Sequence, residues 1–386
     1  MTSLILPIIG GKTERYTLTG TPVSPSRQSG PRNRIAYAAA HVVADPFADN
    51  DPWLNPAVDW DKTIAYRRHL WDLGFGVAEA MDTAQRGGGL HWTESLELIR
   101  HSLAAAGSED KIACGCGTDH LDPAEAHTLD DVIAAYELQI EAIEKLGGKL
   151  VLMASRALTR VAKGPEDYAK VYDRLLSQVR EPVLIHWLGD MFDPALKGYW
   201  GSEDLDAAMQ TCLGILKTNS AKVEGIKISL LDDQKEIRMR RLLPDGVMMY
   251  TGDDFNYPAL IKGDKQGYSH ALLGIFDVIA PVAAAALDHL AAGDIAEYDR
   301  LFAPTVPLSR HIFKAPTNFY KTGVVFMAYL NGHQDHFTMI GGQESARSTQ
   351  HLATLFRLAD SAGLFADPEK SARQCAAIMT ARGVSQ

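Results

Sequence analysis

The stretch "KVEGIKISLL", residues 222–231, reads as a buried β-strand with a lysine at its centre. Lys227 stands between two isoleucines, where a core strand normally carries an apolar side chain. In a strand, alternate side chains point to opposite faces, so both isoleucines would share one face while Gly225, Lys227 and Ser229 share the other. Because an unpartnered ammonium is costly to bury, this lysine indicates either an ion pair or a chemical role.

Seven further strand-like stretches lie along the chain, separated by stretches in which apolar residues recur every three or four positions. Regular alternation of strands and amphipathic helices is typical of a (β/α)8 TIM barrel, an α/β fold. An open doubly wound sheet is the alternative, but the segment "AAAHVVADPF" lacks the glycine-rich phosphate loop that would favour it. The eight strand candidates cover residues 34–43, 74–83, 111–119, 149–155, 181–187, 223–229, 245–254 and 266–274.

Additional segments flank the predicted barrel. The stretch "MTSLILPIIGGKTERYTLTG" predicts a β-hairpin that turns at Gly10-Gly11, and "TPVSPSRQSGPRNR" predicts a polar linker. From about residue 296 the pattern becomes helical. We therefore expect an N-terminal hairpin and linker (1–33), a barrel (34–295) and a C-terminal helical region (296–386).

The composition limits the classes of partner. With 46% hydrophobic and 22% charged side chains in 386 residues, the chain is typical of a globular protein, and we expect it in the cytoplasm. The net charge of -10 argues against nucleic acid or an anionic membrane as a partner, and no apolar run approaches a membrane span. Four cysteines do not indicate a disulfide framework. Cys114 and Cys116, in "CGC", lack the further ligands of a zinc site and are predicted to pack within a strand.

Polar side chains recur at the predicted carboxyl ends of the strands, where TIM-barrel enzymes place their chemistry. Any one of them could be a capping or loop residue, but together they predict a polar, ionisable pocket. In strand order they are His41 and Asp45, Asp82 and Thr83, Asp119 and His120, Ser155 and Arg156, His186, Lys227 and Ser229, Asp253 and Asp254, and His270.

Lys227 is the most informative member of this set. Facing a partly desolvated barrel lumen, with Gly225 leaving room beside it, its amine would have a lowered pKa and could attack a carbonyl carbon. The alternative is a structural lysine that forms an ion pair with Asp253 or Asp254.

The stretch "VEGIKIS" resembles the Schiff-base strand of the dihydrodipicolinate synthase / N-acetylneuraminate lyase superfamily. "IACGCGTD", "EPVLIHW" and "YTGDD" are similar to the third, fifth and seventh strands of that superfamily. "GDKQGYSHALLGIFDVIAP" resembles its eighth strand, and "APTNFYKTGVVFMAYLNG" resembles the start of its C-terminal helices. The resemblance spans roughly residues 35–330 and is greatest for an uncharacterised dihydrodipicolinate-synthase-like group. It implies a TIM barrel and a homodimer or homotetramer.

The resemblance also implies roles for individual residues. Lys227 takes the imine-forming position, and His186 stands where the family has a proton-relaying tyrosine. Asp253, Asp254 and His270 match positions that bind sugar hydroxyls in the sugar-acid lyases.

The second strand departs from the family pattern. The chain reads "MDTAQRGGGL" where the family has G-T-T-G-E, so Thr83 is retained while Asp82 replaces a glycine and Arg86 replaces a glutamate. A carboxylate at Asp82 would repel the carboxylate of pyruvate. Arg86 or Arg156 could instead pair with a carboxylate or phosphate of some other substrate.

These observations predict a class I, Schiff-base carbon–carbon lyase or aldolase acting on a small oxo acid or oxo sugar. Lys227 and His186 would be catalytic, and no cofactor or metal is expected because the protonated imine is the electrophile. The residues expected to bind substrate are Asp82, Thr83, Arg86, Asp119, Arg156, Ser229, Asp253, Asp254 and His270.

Two other functions fit parts of the pattern. One is a metal-dependent isomerase, epimerase or hydrolase of a sugar-like substrate. Its ligands would come from His41, Asp82, Asp119, His120, His186 and His270. The other is a sugar-acid-binding regulator that has lost imine chemistry.

Overall fold

The computed structural model describes residues 2–23 and 31–386. An N-terminal antiparallel hairpin joins β1 (Ser3–Ile8) to β2 (Lys12–Thr17). Gly10 and Gly11 form the turn with φ of 90° and 74°, a left-handed conformation that glycine adopts without strain. The predicted hairpin is therefore confirmed, whereas residues 24–30 of the predicted linker lie outside the described residues.

Eight parallel strands close into a barrel in the order β10-β3-β4-β5-β6-β7-β8-β9. Seven of the strands lie within the predicted stretches and the fifth runs one residue beyond its stretch, to Leu188, so the predicted TIM barrel is confirmed and the open sheet is wrong. The strands are β3 (Ala36–Ala39), β4 (Gly76–Glu79), β5 (Ile112–Cys116), β6 (Lys149–Leu152), β7 (Val183–Leu188), β8 (Val223–Ser229), β9 (Met248–Thr251) and β10 (His270–Leu273).

Helices follow the strands and cover the outside of the barrel. In α3, the capping box of Thr128 and Asp131 satisfies backbone groups at the helix start, and Val132, Tyr136 and Ile140 form a buried stripe. The helices are α1 (Trp60–Asp72), α2 (Trp92–Ala105), α3 (Leu129–Lys145), α4 (Arg156–Val161), α5 (Pro165–Gln178), α6 (Leu205–Thr218), α7 (Asp233–Arg240), α8 (Tyr257–Lys262), α9 (Ile275–Val278) and α10 (Ala280–Ala291).

The barrel has two apolar layers, because each strand is covered on both faces. The outer layer lies between strands and helices and includes Ile226 and Ile228, which confirms the predicted alternation along β8. Cys114 and Cys116 lie in the same layer, buried and without a disulfide, as predicted. The lumen holds a separate cluster formed by Tyr37, Ala39, Ala78, Met81, Ala113, Val151, Leu184, Tyr250 and Leu272.

Five C-terminal helices pack beside the barrel: α11 (Ile295–Phe302), α12 (Thr305–Ile312), α13 (Tyr320–Leu330), α14 (Thr349–Ser361) and α15 (Pro368–Ala381). Every residue of α13 is buried. The hairpin joins this region through the Tyr16 hydroxyl, which donates to the Asp360 carboxylate at 2.8 Å. The predicted helical region is thus confirmed, while the division at residues 33 and 295 stays a prediction. Within the described residues, no helix is both long and apolar enough to cross a bilayer.

Candidate active site

Lys227 lies in the middle of β8 and is 8% exposed. It pairs in register with His186 on β7 and with Tyr250 on β9. The space beside Gly225 is occupied by the ring of Tyr250, since a Cβ on this glycine would lie 2.7 Å from that ring. The expectation that Gly225 makes room for the lysine is therefore wrong. Gly252 has that role, because a Cβ there would lie 2.7 Å from Lys227 Cε.

The Lys227 ammonium forms neither a hydrogen bond nor an ion pair with any residue in 2–23 or 31–386. Burial lowers the pKa of Lys227, and the negative charges of Asp254 and Asp82 oppose this shift without reversing it. Lys227 therefore does not form the structural ion pair with Asp253 or Asp254 that was the predicted alternative. A larger neutral fraction of the amine is the consequence, and this is the form that attacks carbonyls.

His186 lies beside Lys227 and is 1% exposed. Its Nε2 lies 3.1 Å from the Ser229 hydroxyl. Burial, reinforced by the Lys227 charge, holds the pKa of His186 well below the usual value for imidazole. The ring is therefore neutral at physiological pH, and with Ser229 it forms a hydrogen-bonded pair that can exchange a proton.

The two aspartates that follow β9 have different surroundings. The Asp254 carboxylate accepts the Ile275 amide at 2.9 Å, and burial raises its pKa to about 7. It interacts electrostatically with Lys227. Asp253 instead accepts the backbone amides of Phe255 and Asn256, at 2.8 and 3.0 Å, in the turn before α8. Asp254 thus lies within electrostatic reach of the lysine, whereas Asp253 is held in the turn before α8.

Two clefts open at the carboxyl ends of the strands and share Asp82 and Leu188. We call them the lysine cleft and the larger outer cleft. The lysine cleft is lined by Ala39, Met81, Asp82, Thr83, Leu188, Phe192, Lys227, Ser229, Asp254, Gly274 and Tyr320. Polar walls of the outer cleft include Asp82, Arg86, Thr118, Asp119, Arg156, His186 and Asp193. The structure therefore brings most of the predicted site residues together.

Two C-terminal residues that the sequence analysis missed belong to this region. The Tyr320 hydroxyl lies 2.9 Å from the Thr83 hydroxyl, which ties α13 to the turn after β4. Lys321 is 8% exposed, and its ammonium donates to the Asn318 carbonyl at 3.3 Å. Its charge interacts with Asp82, and burial lowers its pKa. A Tyr-Lys pair at the start of an otherwise apolar helix was the available signal.

Arg86 is not free to bind a substrate. Its guanidinium pairs with both Asp119 oxygens, at 3.0 and 2.6 Å, and donates to the Ala80 and Gly115 carbonyls and to Gln139. All five N–H donors are thereby used. Arg86 and Asp119 form a wall of the outer cleft rather than a carboxylate receptor.

Arg156 lies at the rim of the outer cleft. Its side chain is 52% exposed and pairs with the Asp193 carboxylate at 2.5 Å. An exposed ion pair of this kind is weak and can open to admit a ligand.

His270 is not brought to the site. The expectation that it ends the eighth strand is wrong, because it begins β10 and so lies at the amino end of the barrel. There its Nδ1 accepts the Ile35 amide at 3.0 Å, and its ring lies 5.3 Å from that of Tyr250.

Of the residues predicted as metal ligands, Asp82, Asp119 and His186 line the outer cleft, whereas His41 and His270 lie elsewhere. His41 is buried, and its Nδ1 is hydrogen-bonded to the Asp277 carboxylate at 2.7 Å. The Nδ1 of His120 lies 2.9 Å from the Gln139 amide nitrogen. Throughout the described ranges, no three His, Cys, Asp or Glu side chains are grouped so that they could hold one metal ion. The metal-dependent alternative therefore has no assembled donor set.

Several solved structures share this fold. The dihydrodipicolinate synthase from Aquifex aeolicus has a TM-score of 0.64 at 11% identity, covering 86% of this chain and 98% of its own. The Bacillus clausii enzyme has a TM-score of 0.62 at 12% identity, covering 84% and 97%. The Bacillus anthracis enzyme has a TM-score of 0.59 at 15% identity, covering 92% and 99%. The resemblance to the dihydrodipicolinate synthase superfamily is therefore confirmed at the level of the fold.

Curated proteins gave no match to the chain. A family model described as "Protein of unknown function (DUF993)" matches residues 4–384, almost the whole length. The chain therefore belongs to the DUF993 family, built on the barrel of the dihydrodipicolinate synthases.

Proposed function

We propose that this protein is a class I, Schiff-base carbon–carbon lyase or aldolase that acts on a small oxo acid or oxo sugar. The observation that supports this most directly is the buried Lys227 ammonium in the lysine cleft, unpaired within the described residues. Burying the charged ammonium costs free energy, so burial favours the neutral amine, which is the reactive form.

The first step joins Lys227 to the carbonyl. The amine nitrogen attacks the carbonyl carbon and gives a carbinolamine. Asp254, whose pKa is about 7, donates a proton to the departing hydroxyl, so that water leaves and an iminium ion forms. The iminium nitrogen then accepts the electron pair of the neighbouring C–C bond when that bond breaks.

Cleavage also needs a base for the hydroxyl that becomes the new carbonyl. His186 is neutral and hydrogen-bonded to Ser229, which lines the lysine cleft. A proton from the substrate hydroxyl passes to this pair, and the resulting enamine is protonated before water hydrolyses the imine and frees Lys227. The reverse sequence forms the C–C bond.

Thr83 and Asp82 complete the lysine cleft and are proposed to orient polar substrate groups. Arg156 is proposed to do so from the rim of the outer cleft. We keep the prediction of a homodimer or homotetramer without residues assigned to its interface.

Trapping of the imine tests this proposal. The protein is incubated with a panel of oxo acids and oxo sugars plus cyanoborohydride, digested, and mapped by mass spectrometry. We expect a reduced adduct on Lys227 that is absent in Lys227→Ala. The exposed Lys217, at the end of α6, gives the matched control Lys217→Ala. Failure of every carbonyl compound to label Lys227, together with turnover lost to a chelator, would overturn the imine mechanism in favour of a metal.

A further inference from the structure

Asp82 occupies the point where the two clefts meet. It begins the short turn after β4, is half-buried, and lines both clefts. Its carboxylate makes no hydrogen bond or ion pair with the described residues, so its oxygens are available to a ligand. This distinguishes Asp82 from Asp119, which is held by Arg86, and from Asp193, which is held by Arg156.

Two ammonium groups oppose the charge of Asp82. Both Lys227 and Lys321 interact with it electrostatically, one from β8 and the other from α13. Neither lysine forms an ion pair elsewhere within residues 2–23 and 31–386. Asp82 is therefore a carboxylate supplied by the protein that interacts with two cations.

The two arginines near the clefts line only the outer cleft, and each has an acidic partner there. Arg86 uses all five donors, and Arg156 pairs with Asp193. Asp254 adds a further partial negative charge beside Lys227. A substrate carboxylate bonded beside Lys227 would therefore lie in the cleft that Asp82 and Asp254 line and that neither arginine lines.

The geometry of an imine brings the substrate carboxylate close to Asp82. In the iminium ion of a 2-oxo acid, the carboxylate oxygens lie about 3 Å from the lysine nitrogen. That places a second carboxylate in the lysine cleft that Asp82 lines, where like charges repel strongly because water is scarce. A hydroxymethyl group in the same place would instead donate a hydrogen bond to Asp82.

We propose that Asp82 is a specificity-determining residue that makes this site select neutral α-hydroxy aldehydes and ketones over 2-oxo acids. This inference rests on the proposed imine function of Lys227 and narrows its substrate class. The carbonyl carbon bonds to Lys227 with loss of water, and the adjacent hydroxyl is held by Asp82. Lys227 still forms an imine, but the carboxylate beside it belongs to Asp82 and not to the substrate.

A matched pair of probes tests this choice. Hydroxyacetone and pyruvate share a methyl ketone and differ only in a hydroxymethyl group against a carboxylate. Each is incubated with the full chain and cyanoborohydride, and the rate of Lys227 labelling is divided by that of the exposed Lys217 in the same digest. This division removes the difference in intrinsic reactivity between the two compounds.

In the wild type we expect the corrected hydroxyacetone rate to exceed the pyruvate rate at least about tenfold. Asp82→Asn keeps the shape and removes the charge, and should shift this ratio toward pyruvate by about tenfold. Asp61→Asn, on the exposed start of α1, should leave the ratio unchanged.

The outcomes separate the two proposals. Lys227 labelled equally by both probes, or faster by pyruvate, overturns the role of Asp82 and leaves the imine mechanism standing. A ratio unchanged in Asp82→Asn has the same meaning. Loss of pyruvate labelling alone in Lys321→Met would overturn it too, because Lys321 would then be a carboxylate receptor. No labelling of Lys227 by either probe, or by any other carbonyl compound, refutes the proposed function itself.

Discussion

The Thr83 hydroxyl lies 2.9 Å from the Tyr320 hydroxyl, and this contact joins the second strand of the barrel to the C-terminal helices. Both side chains are buried and both line the lysine cleft. The Tyr320 ring stacks on Phe313 at 4.4 Å, which fixes the direction of its hydroxyl. The C-terminal region therefore supplies a wall of the candidate site, more than 230 residues along the chain from the strand that it completes.

Tyr320→Phe removes this hydroxyl contact and leaves the ring packing in place. We expect a loss of about 1 kcal/mol in the free energy of unfolding, since a buried hydrogen bond contributes about that much. Labelling of Lys227 should slow because Thr83 loses its orientation. Urea unfolding of the variant, of Thr83→Val and of the double variant gives the coupling energy. Strictly additive effects would show that the contact does not couple the two residues.

Lys227→Met should separate stability from activity. Methionine fills a similar volume and removes a buried ammonium that has no ion-pair partner among the described residues, so we expect a free energy of unfolding equal to or above that of the wild type. Turnover should fall by roughly 10³-fold or more, because the nucleophile is gone. Thermal unfolding and steady-state rates measure the two quantities. A variant that is both active and less stable would assign the lysine a structural role.

His186 and His270 give a paired test of position. His186→Gln changes a side chain beside Lys227, and we expect kcat to fall by about 10²-fold. His270→Gln changes the amino end of β10, so kcat should remain near the wild-type value. Both measurements use the substrate class that labels Lys227. Equal losses in the two variants would contradict the division of the barrel into a reactive and an inert end.

Asp254 should impose a pH dependence on imine formation. Burial raises its pKa to about 7, so the protonated form that donates to the departing hydroxyl is depleted above this pH. Because the neutral fraction of Lys227 rises with pH in both proteins, we expect the wild-type rate of Lys227 labelling, divided by the Asp254→Asn rate, to fall as the pH rises through about 7. Asp254→Asn should be slower throughout. A ratio that stays constant with pH would assign the proton donation to another group.

Glu236 should make the fold less stable as the pH rises. It is buried and accepts hydroxyl hydrogen bonds from Ser269 and Thr251 at 2.7 and 2.9 Å. Burial raises its pKa from 4.5 to about 8, so the folded state binds more protons than the unfolded state between these values. The stabilisation is complete below pH 4.5 and is lost as the pH rises through about 8.

Glu236→Gln removes this titration. Relative to the wild type, its free energy of unfolding should increase by up to about 1.4 kcal/mol for each pH unit across this range. Urea unfolding at several pH values measures the difference, with the exposed Glu109→Gln as control. Parallel pH profiles for the wild type and Glu236→Gln would show that Glu236 is ionised throughout.

The sequence by itself determined the eight strands, their order and the direction of Lys227. Strand periodicity is local, so alternation along "VEGIKIS" was enough to turn the two isoleucines to the helices and the lysine to the lumen. The carboxyl ends of parallel strands meet at one end of a barrel, so Asp82, Thr83, His186 and Asp254 were predicted together.

Only the tertiary structure decided which of these side chains are free. All N–H donors of Arg86 are hydrogen-bonded to Asp119, Gln139 and two backbone carbonyls. Several of these contacts join segments that are distant in sequence, so no local sequence pattern predicts them. Periodicity also does not fix where a strand begins, so His270 was assigned to the wrong end of β10. Packing of the C-terminal helices brings Tyr320 to the lysine cleft and Lys321 within electrostatic reach of Asp82. Tertiary contacts determine which groups pair with a charged side chain. The face of the strand to which that side chain points follows from local alternation along the strand.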